Sequence, residues 1–363
     1  MQHLAGIGAV VIVIGAGLIG VRPASVSAAP TATTTSAPGK TTTTTPPSHP
    51  YACSGTACSG LVKVGHGRTI YVECQGTGSP TVVLVAGQGE RAENWSQLPD
   101  GSSMAPSPHA VYPQVSQFTR VCAYDRPGTT TETPSGFVKT PSAPARQPVT
   151  PKGSAADLTA LLKASGQRGP FVLAGQSYGG DIIRLYASEH PKQTAGLVLV
   201  DALSEYLADY LTPKQLADLQ KVNSPATQGR PAGSEYLDFE TTFAQLHKAR
   251  VPKVPVTVLS ADTWLLTPDA VASVGLPRSL SDALWSAQRK AQARLADQFP
   301  GATWITKTNA SHYIQLDQPQ LVTNSIREVV DQVGKRPNPA SVNLNANPNP
   351  PVIPPSATNR YDP

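Results

Sequence analysis

Basic residues are nowhere concentrated in this 363-residue chain: no run is longer than two residues, as at Lys335-Arg336, although the net charge is +5 and the pI near 9.0. Nucleic-acid binding needs clustered Lys and Arg, so that class has no footing. Charged residues are scarce altogether, at 15% against 39% hydrophobic, a balance that lets a chain of this length bury a sizeable core. Two methionines and 6% aromatics argue against a soft, adaptable binding groove. No internal repeat is present, so no repeat array is expected. No Lys or Arg precedes the apolar run that begins at Leu4, where an export signal ordinarily carries positive charge.

What is present begins with that run. Residues 4–21 are an unbroken apolar and glycine stretch, followed by Val26-Ser27-Ala28, a small-residue pattern that permits cleavage before Ala29. Residues 1–28 therefore read as a secretory signal peptide; an uncleaved anchor is the alternative, because 18 apolar residues are borderline for a membrane span. Residues 29–60 are rich in Thr, Pro and Ser and read as a linker, and residues 335–363 as a disordered Pro/Asn-rich tail, since neither can offset its ordering entropy by burial. Fourteen of the 36 prolines lie in residues 1–59 and 335–363, and each of these flanks carries +2. The body, residues 61–334, is left with +1, so the basic pI implies no acidic partner for the fold. A secreted or cell-surface location is expected, with membrane contact only through the N-terminal segment.

Inside the body, short β-branched runs alternate with helical patterns, which predicts βαβ units and a mostly parallel sheet. Strands are expected at 69–74, 81–85, 120–124, 171–174, 196–200, 254–260 and 302–306. Helices are expected at 154–164, opening on a capping-box-like Ser154-Ala155-Ala156-Asp157, at 180–188, and at 319–333. Residues 203–253 interrupt the alternation with mixed helical pieces, as an inserted cap would.

The most informative segment is Phe171-Val172-Leu173-Ala174-Gly175-Gln176-Ser177-Tyr178-Gly179-Gly180. An apolar strand runs into Gly-x-Ser-x-Gly and straight on into an amphipathic helix. A sharp strand-to-helix turn strains its central residue and needs small neighbours two positions away, hence Gly175 and Gly179. Ser177 Oγ is thereby presented at a helix N-terminus that favours developing negative charge. A hydroxyl nucleophile needs a base. Of the seven histidines, His312 alone has a suitable context, in a loop between the last strand and the last helix.

These residues, with Val82-Val83-Leu84-Val85-Ala86-Gly87-Gln88-Gly89, Tyr124-Asp125-Arg126-Pro127-Gly128 and Ser311-His312-Tyr313-Ile314-Gln315-Leu316-Asp317-Gln318-Pro319, resemble the α/β-hydrolase superfamily of the secreted serine esterase/lipase type. The resemblance covers nearly the whole body. It implies a mostly parallel eight-stranded sheet with helices on both faces and a helical cap after strand 6. It also implies an oxyanion hole from the backbone N–H groups of Tyr178 and Gln88, with neither metal nor cofactor.

The acid departs from the family pattern. The usual position, laid on Ser260-Ala261-Asp262-Thr263-Trp264, falls on Trp264, with Asp262 two residues early. Some relatives take the acid from the end of the preceding strand, where Asp201 follows Leu197-Val198-Leu199-Val200. Asp201, Asp262 and, more remotely, Asp269 stay open. The four cysteines allow three pairings. The family strand order 1-2-4-3-5-6-7-8 implies that Cys74 and Cys122 lie on neighbouring strands, which leaves Cys53 with Cys58. The cap residues Tyr206, Leu207, Tyr210, Leu211, Tyr236, Phe239 and Phe243 either seal the insert onto the body or line an acyl pocket for a moderately apolar ester. The expected activity is carboxylic-ester hydrolysis on a small-molecule substrate. A peptidase or amidase on the same scaffold and a non-catalytic exported binding protein are the alternatives.

Overall fold

The computed structural model describes residues 49–101, 103–133 and 135–335; the expected signal peptide, most of the linker and all but the first residue of the tail lie outside them. The strands are β1 Ala52–Ser54, β2 Ala57–Gly65, β3 Arg68–Gln75, β4 Val82–Val85, β5 Gln97–Asp100, β6 Ser103–Pro106, β7 Val121–Asp125, β8 Thr130–Thr133, β9 Gly136–Lys139, β10 Phe171–Gln176, β11 Thr194–Val200, β12 Val256–Leu259 and β13 Thr303–Ile305. The helices are α1 Val111–Val115, α2 Pro151–Ala164, α3 Tyr178–Glu189, α4 Pro213–Val222, α5 Phe239–Leu246, α6 Pro268–Ser273, α7 Ser279–Asp297, α8 Ile314–Asp317 and α9 Pro319–Lys335.

Nine strands form one mixed sheet in the order β1-β2-β3-β7-β4-β10-β11-β12-β13. From β7 to β13 every pairing is parallel; β1, β2 and β3 add antiparallel partners on one edge. The seven strands read from sequence are all present, and the order from β2 onward is the expected eight-strand one. Two strands of this sheet were not read, nor were the two-stranded ribbons β5-β6 and β8-β9 outside it. β2 is half-exposed, with only Cys58, Gly60 and Val62 turned inward, and β1 is a three-residue addition paired to it. The folded body therefore starts before residue 61, inside the stretch read as linker.

β4, β10 and β11 are buried on both faces and read as continuous apolar runs for that reason. Alternate residues serve two cores. Val83, Val85, Leu173, Leu197 and Leu199 pack beneath α2 and α3, whereas Val82, Leu84, Val172, Val198 and Val200 pack with residues of α1 and α9. α2 opens earlier than expected, because Pro151 supplies the first helical residue and Thr150 caps it by accepting from Gly153 N.

The cap departs after β11 as a 3-10 turn at Glu205–Tyr210, then α4 and α5. Arg184 of α3 holds its start through a bidentate pair to Glu205 (2.8 and 2.7 Å), both side chains being buried. Disulfides Cys53–Cys58 and Cys74–Cys122 tie β1 to β2 and β3 to β7, where the paired residues are direct cross-strand neighbours.

Candidate active site

The turn at Ser177 follows from close backbone packing. Ser177 has φ 51° and ψ −124° and sits between β10 and α3. A Cβ on Gly175 would lie 2.4 Å from Gly179 O, and one on Gly179 would lie 2.1 Å from Val85 O, so neither position admits a side chain. Ser177 N donates to Val200 O (3.1 Å), while Ser177 O accepts from Gly180 N (2.9 Å) and Leu203 N (3.1 Å). The strained conformation is thus over-determined from both sides.

His312 lies in the loop between β13 and α8. Its Nδ1 is 2.6 Å from Asp201 Oδ2, both side chains being nearly buried. A carboxylate only accepts, so Nδ1 carries the hydrogen and Nε2 is left as an acceptor, buried and without a protein partner. Asp201 follows β11 at φ 39°; its N donates to Leu259 O (2.7 Å) and its Oδ1 accepts from Ala261 N (3.0 Å). The backbone of His312 is held in turn by Gln176 Nε2, which donates to its carbonyl (3.0 Å).

Asp262 is exposed and faces the same loop from its other side. It accepts from Asn309 N (3.0 Å), Ala310 N (2.9 Å) and the Thr308 hydroxyl (3.3 Å). Burial, the largest single influence, raises its carboxyl, but the Ala310 and Asn309 amides and the Thr308 hydroxyl together outweigh it and hold it below the ordinary range. Its oxygens are engaged in shaping the loop. Asp269 is exposed on α6 and ion-paired to Arg278, away from His312.

The loop after β4 lies directly against Ser177. A Cβ on Gly87 would come within 3.3 Å of Ser177 Cβ, and the Gln88 side chain donates to Asn223 O (3.1 Å) of the cap. Tyr178 N is the first amide of α3 and so has no acceptor within its own helix. The loop is caged by buried ions. Arg126 donates to Ala86 O (2.9 Å) and Gly87 O (2.5 Å) and pairs with Glu235 (2.8 Å); Glu235 also accepts from Gly89 N (2.6 Å). Arg230 reaches Gly89 O (2.8 Å). Sequence reasoning missed Arg230 and Glu235, whose only signal is their position as charged residues inside the cap.

Ser177, Asp201 and His312 share one narrow, mostly apolar cleft. Leu207, Leu219 and Phe239 of the cap line it, so part of the cap faces the site; Tyr206 instead seals the cap, receiving a bond from Gln298 Nε2 (2.6 Å). The remaining wall was not read from sequence. It comes from Trp264, Leu265 and Leu266 after β12 and from Leu284 and Gln288 of α7. The run Trp264-Leu265-Leu266, apolar in a loop, was its available signal.

Comparison with known proteins agrees with this architecture. Over 258 residues the chain is 23% identical to the uncharacterized protein YqjL of Bacillus subtilis (strain 168), covering 70% of this chain and 85% of that one. In fold it is similar to mouse alpha/beta hydrolase domain-containing protein 10, with 14% identity, TM-score 0.50, and 76% of this chain and 99% of that one covered. It is also similar to a putative aryl esterase from Burkholderia cenocepacia, with 19% identity, TM-score 0.47, and coverage of 77% and 100%. The sequence model of the alpha/beta hydrolase family matches residues 82–324, and the chain belongs to that family.

Proposed function

We propose that this chain is an exported serine hydrolase that cleaves carboxylic esters through an acyl-enzyme on Ser177. The observation that carries this reading is the 2.6 Å contact between His312 Nδ1 and Asp201 Oδ2 in the same cleft as the strained serine. His312 Nε2 takes the Ser177 proton as Oγ attacks the substrate carbonyl. Asp201 fixes the tautomer and stabilises the imidazolium, while Asp262 braces the histidine loop. The oxyanion accepts from the amides of Tyr178 and Gln88. His312 then protonates the leaving alcohol, and water attacks the acyl-enzyme with His312 again as base. The apolar wall from Leu203 to Leu284 suits an apolar acyl group. Export is supported by two disulfides, which persist in oxidising compartments.

A fluorophosphonate probe tests the reading. It is expected to label the wild type and not Ser177→Ala, with matching loss of turnover across p-nitrophenyl esters of increasing chain length. No labelling and no ester turnover by the wild type would sink it.

A further inference from the structure

Behind the Gly87–Gln88 loop lies a carboxyl group that neither the fold nor the reaction above uses. Glu90 is 4% exposed, and among the described residues neither of its oxygens has a hydrogen bond of good geometry, the Gly87 amide being only near enough to favour the carboxylate. A Cβ on Gly87 would lie 2.3 Å from Gln176 Oε1, 3.2 Å from Glu90 Oε2 and 3.3 Å from Ser177 Cβ, so these three groups converge on one point beside the nucleophile. Gln176 Oε1 is likewise buried and unpartnered, its amide nitrogen being committed to His312 O. Acceptors brought together in a buried site without a donor are unfavourable unless one of them carries a proton. Gln176 cannot; Glu90 can.

We propose that Glu90 is a positioning residue of this site: in its neutral form it donates toward Gln176, steadying the oxyanion loop, and leaves the His312 imidazole free to act as base. Its charge state is set from several sides. His312 faces it from the loop after β13, Arg230 from the cap and Arg126 from the turn after β7. Arg126 is paired with Glu235, and the neighbouring Arg91 is turned to Asp125. Burial pushes the Glu90 carboxyl up, against the lowering influence of His312, Arg230, Arg126 and the Gly87 backbone, to about 7. A carboxylate at Glu90 would favour the inactive imidazolium form of His312 by its opposite charge, whereas a neutral Glu90 does not. Replacing the carboxyl with a neutral amide removes that influence.

This inference rests on the serine-hydrolase reading, and the test separates the two. The rate of fluorophosphonate labelling at Ser177 is followed from pH 4 to 9 for wild type, Glu90→Gln and Glu90→Ala. The glutamine amide still donates toward Gln176 and carries no charge. Its acid limb is expected to move down by about one pH unit, as loss of a nearby opposite charge predicts. Its plateau should stay well above that of the alanine variant, which strands a buried acceptor and is expected to drop about tenfold. A Glu90→Gln limb that coincides with the wild type overturns the proposal, as does a glutamine plateau no better than that of alanine. Absence of labelling in the wild type instead overturns the serine reading beneath it.

Discussion

His312 Nδ1 stands 2.6 Å from Asp201 Oδ2, across 111 residues of sequence, and Asp201 holds that position at φ 39°. The left-handed backbone turns its carboxylate from the end of β11 toward the histidine loop, where a second aspartate, Asp262, is tied to the backbone. The two aspartates should respond very differently to amidation. Asp201→Asn removes the group that orients the imidazole and is expected to lower ester turnover by about 10⁴-fold. Asp262→Asn weakens only the loop bracing and should cost about tenfold or less. Steady-state kinetics on one p-nitrophenyl ester compares them directly; equal losses would dissolve the division of labour.

The ionic cage around the loop after β4 leads to a second expectation. Glu235→Gln leaves the buried Arg126 guanidinium without its charged partner and weakens the bond to Gly89 N. Loss of about 3 kcal/mol in urea denaturation is expected. On the proposed mechanism, turnover should fall more than substrate affinity, since donors of an oxyanion hole act on the transition state.

The cleft wall should set acyl length. Leu219 of α4 is 2% exposed and lines the cleft from the cap side. Leu219→Ala enlarges this wall, and the ratio of kcat/KM for p-nitrophenyl decanoate over butyrate is expected to rise by about tenfold. An unchanged ratio would place the acyl chain elsewhere.

The two disulfides should differ in weight. Cys74–Cys122 spans 48 residues and Cys53–Cys58 spans 5. Loop-closure entropy assigns about 4 kcal/mol to the first and about 2 kcal/mol to the second. Denaturant melts of the paired Cys→Ala variants read the difference.

Stability should also fall with rising pH through one buried carboxyl. Glu73 is pushed up to about 7 by burial first, and then by Asp125 and Glu93. A carboxyl raised in the folded state is protonated there but ionises earlier when unfolded. Its stabilisation is complete below about 4.5, the unfolded value, and is lost as pH climbs toward 7. Glu73→Gln should flatten that part of the stability–pH curve relative to wild type.

Residue order alone made the central architecture legible. The apolar runs at β4, β10 and β11 are local patterns, and so is the Gly175–Gly179 elbow, whose glycines are demanded by contacts within a few residues or to the adjacent strand. His312 was readable for the same reason, since a loop between the last strand and the last helix lies at a known end of such a sheet. The edge was harder. β2 exposes half its surface, so its alternation is weak, and β1 exists only because β2 and Cys58 hold it.

What the tertiary structure decided concerns pairs distant in sequence. Which aspartate faces His312 depends on how β11 and β12 sit side by side, and no local pattern encodes a register between strands 60 residues apart. The Trp264 and α7 wall of the cleft arises from segments that follow β12 and pack beside the cap, and the reach of Arg230 and Glu235 back to the loop after β4 arises because the cap folds over the sheet. The unpartnered Glu90 is of the same kind. In sequence it is an ordinary charged residue after Gly89; only packing removes water from it and sets it against Gln176 and His312.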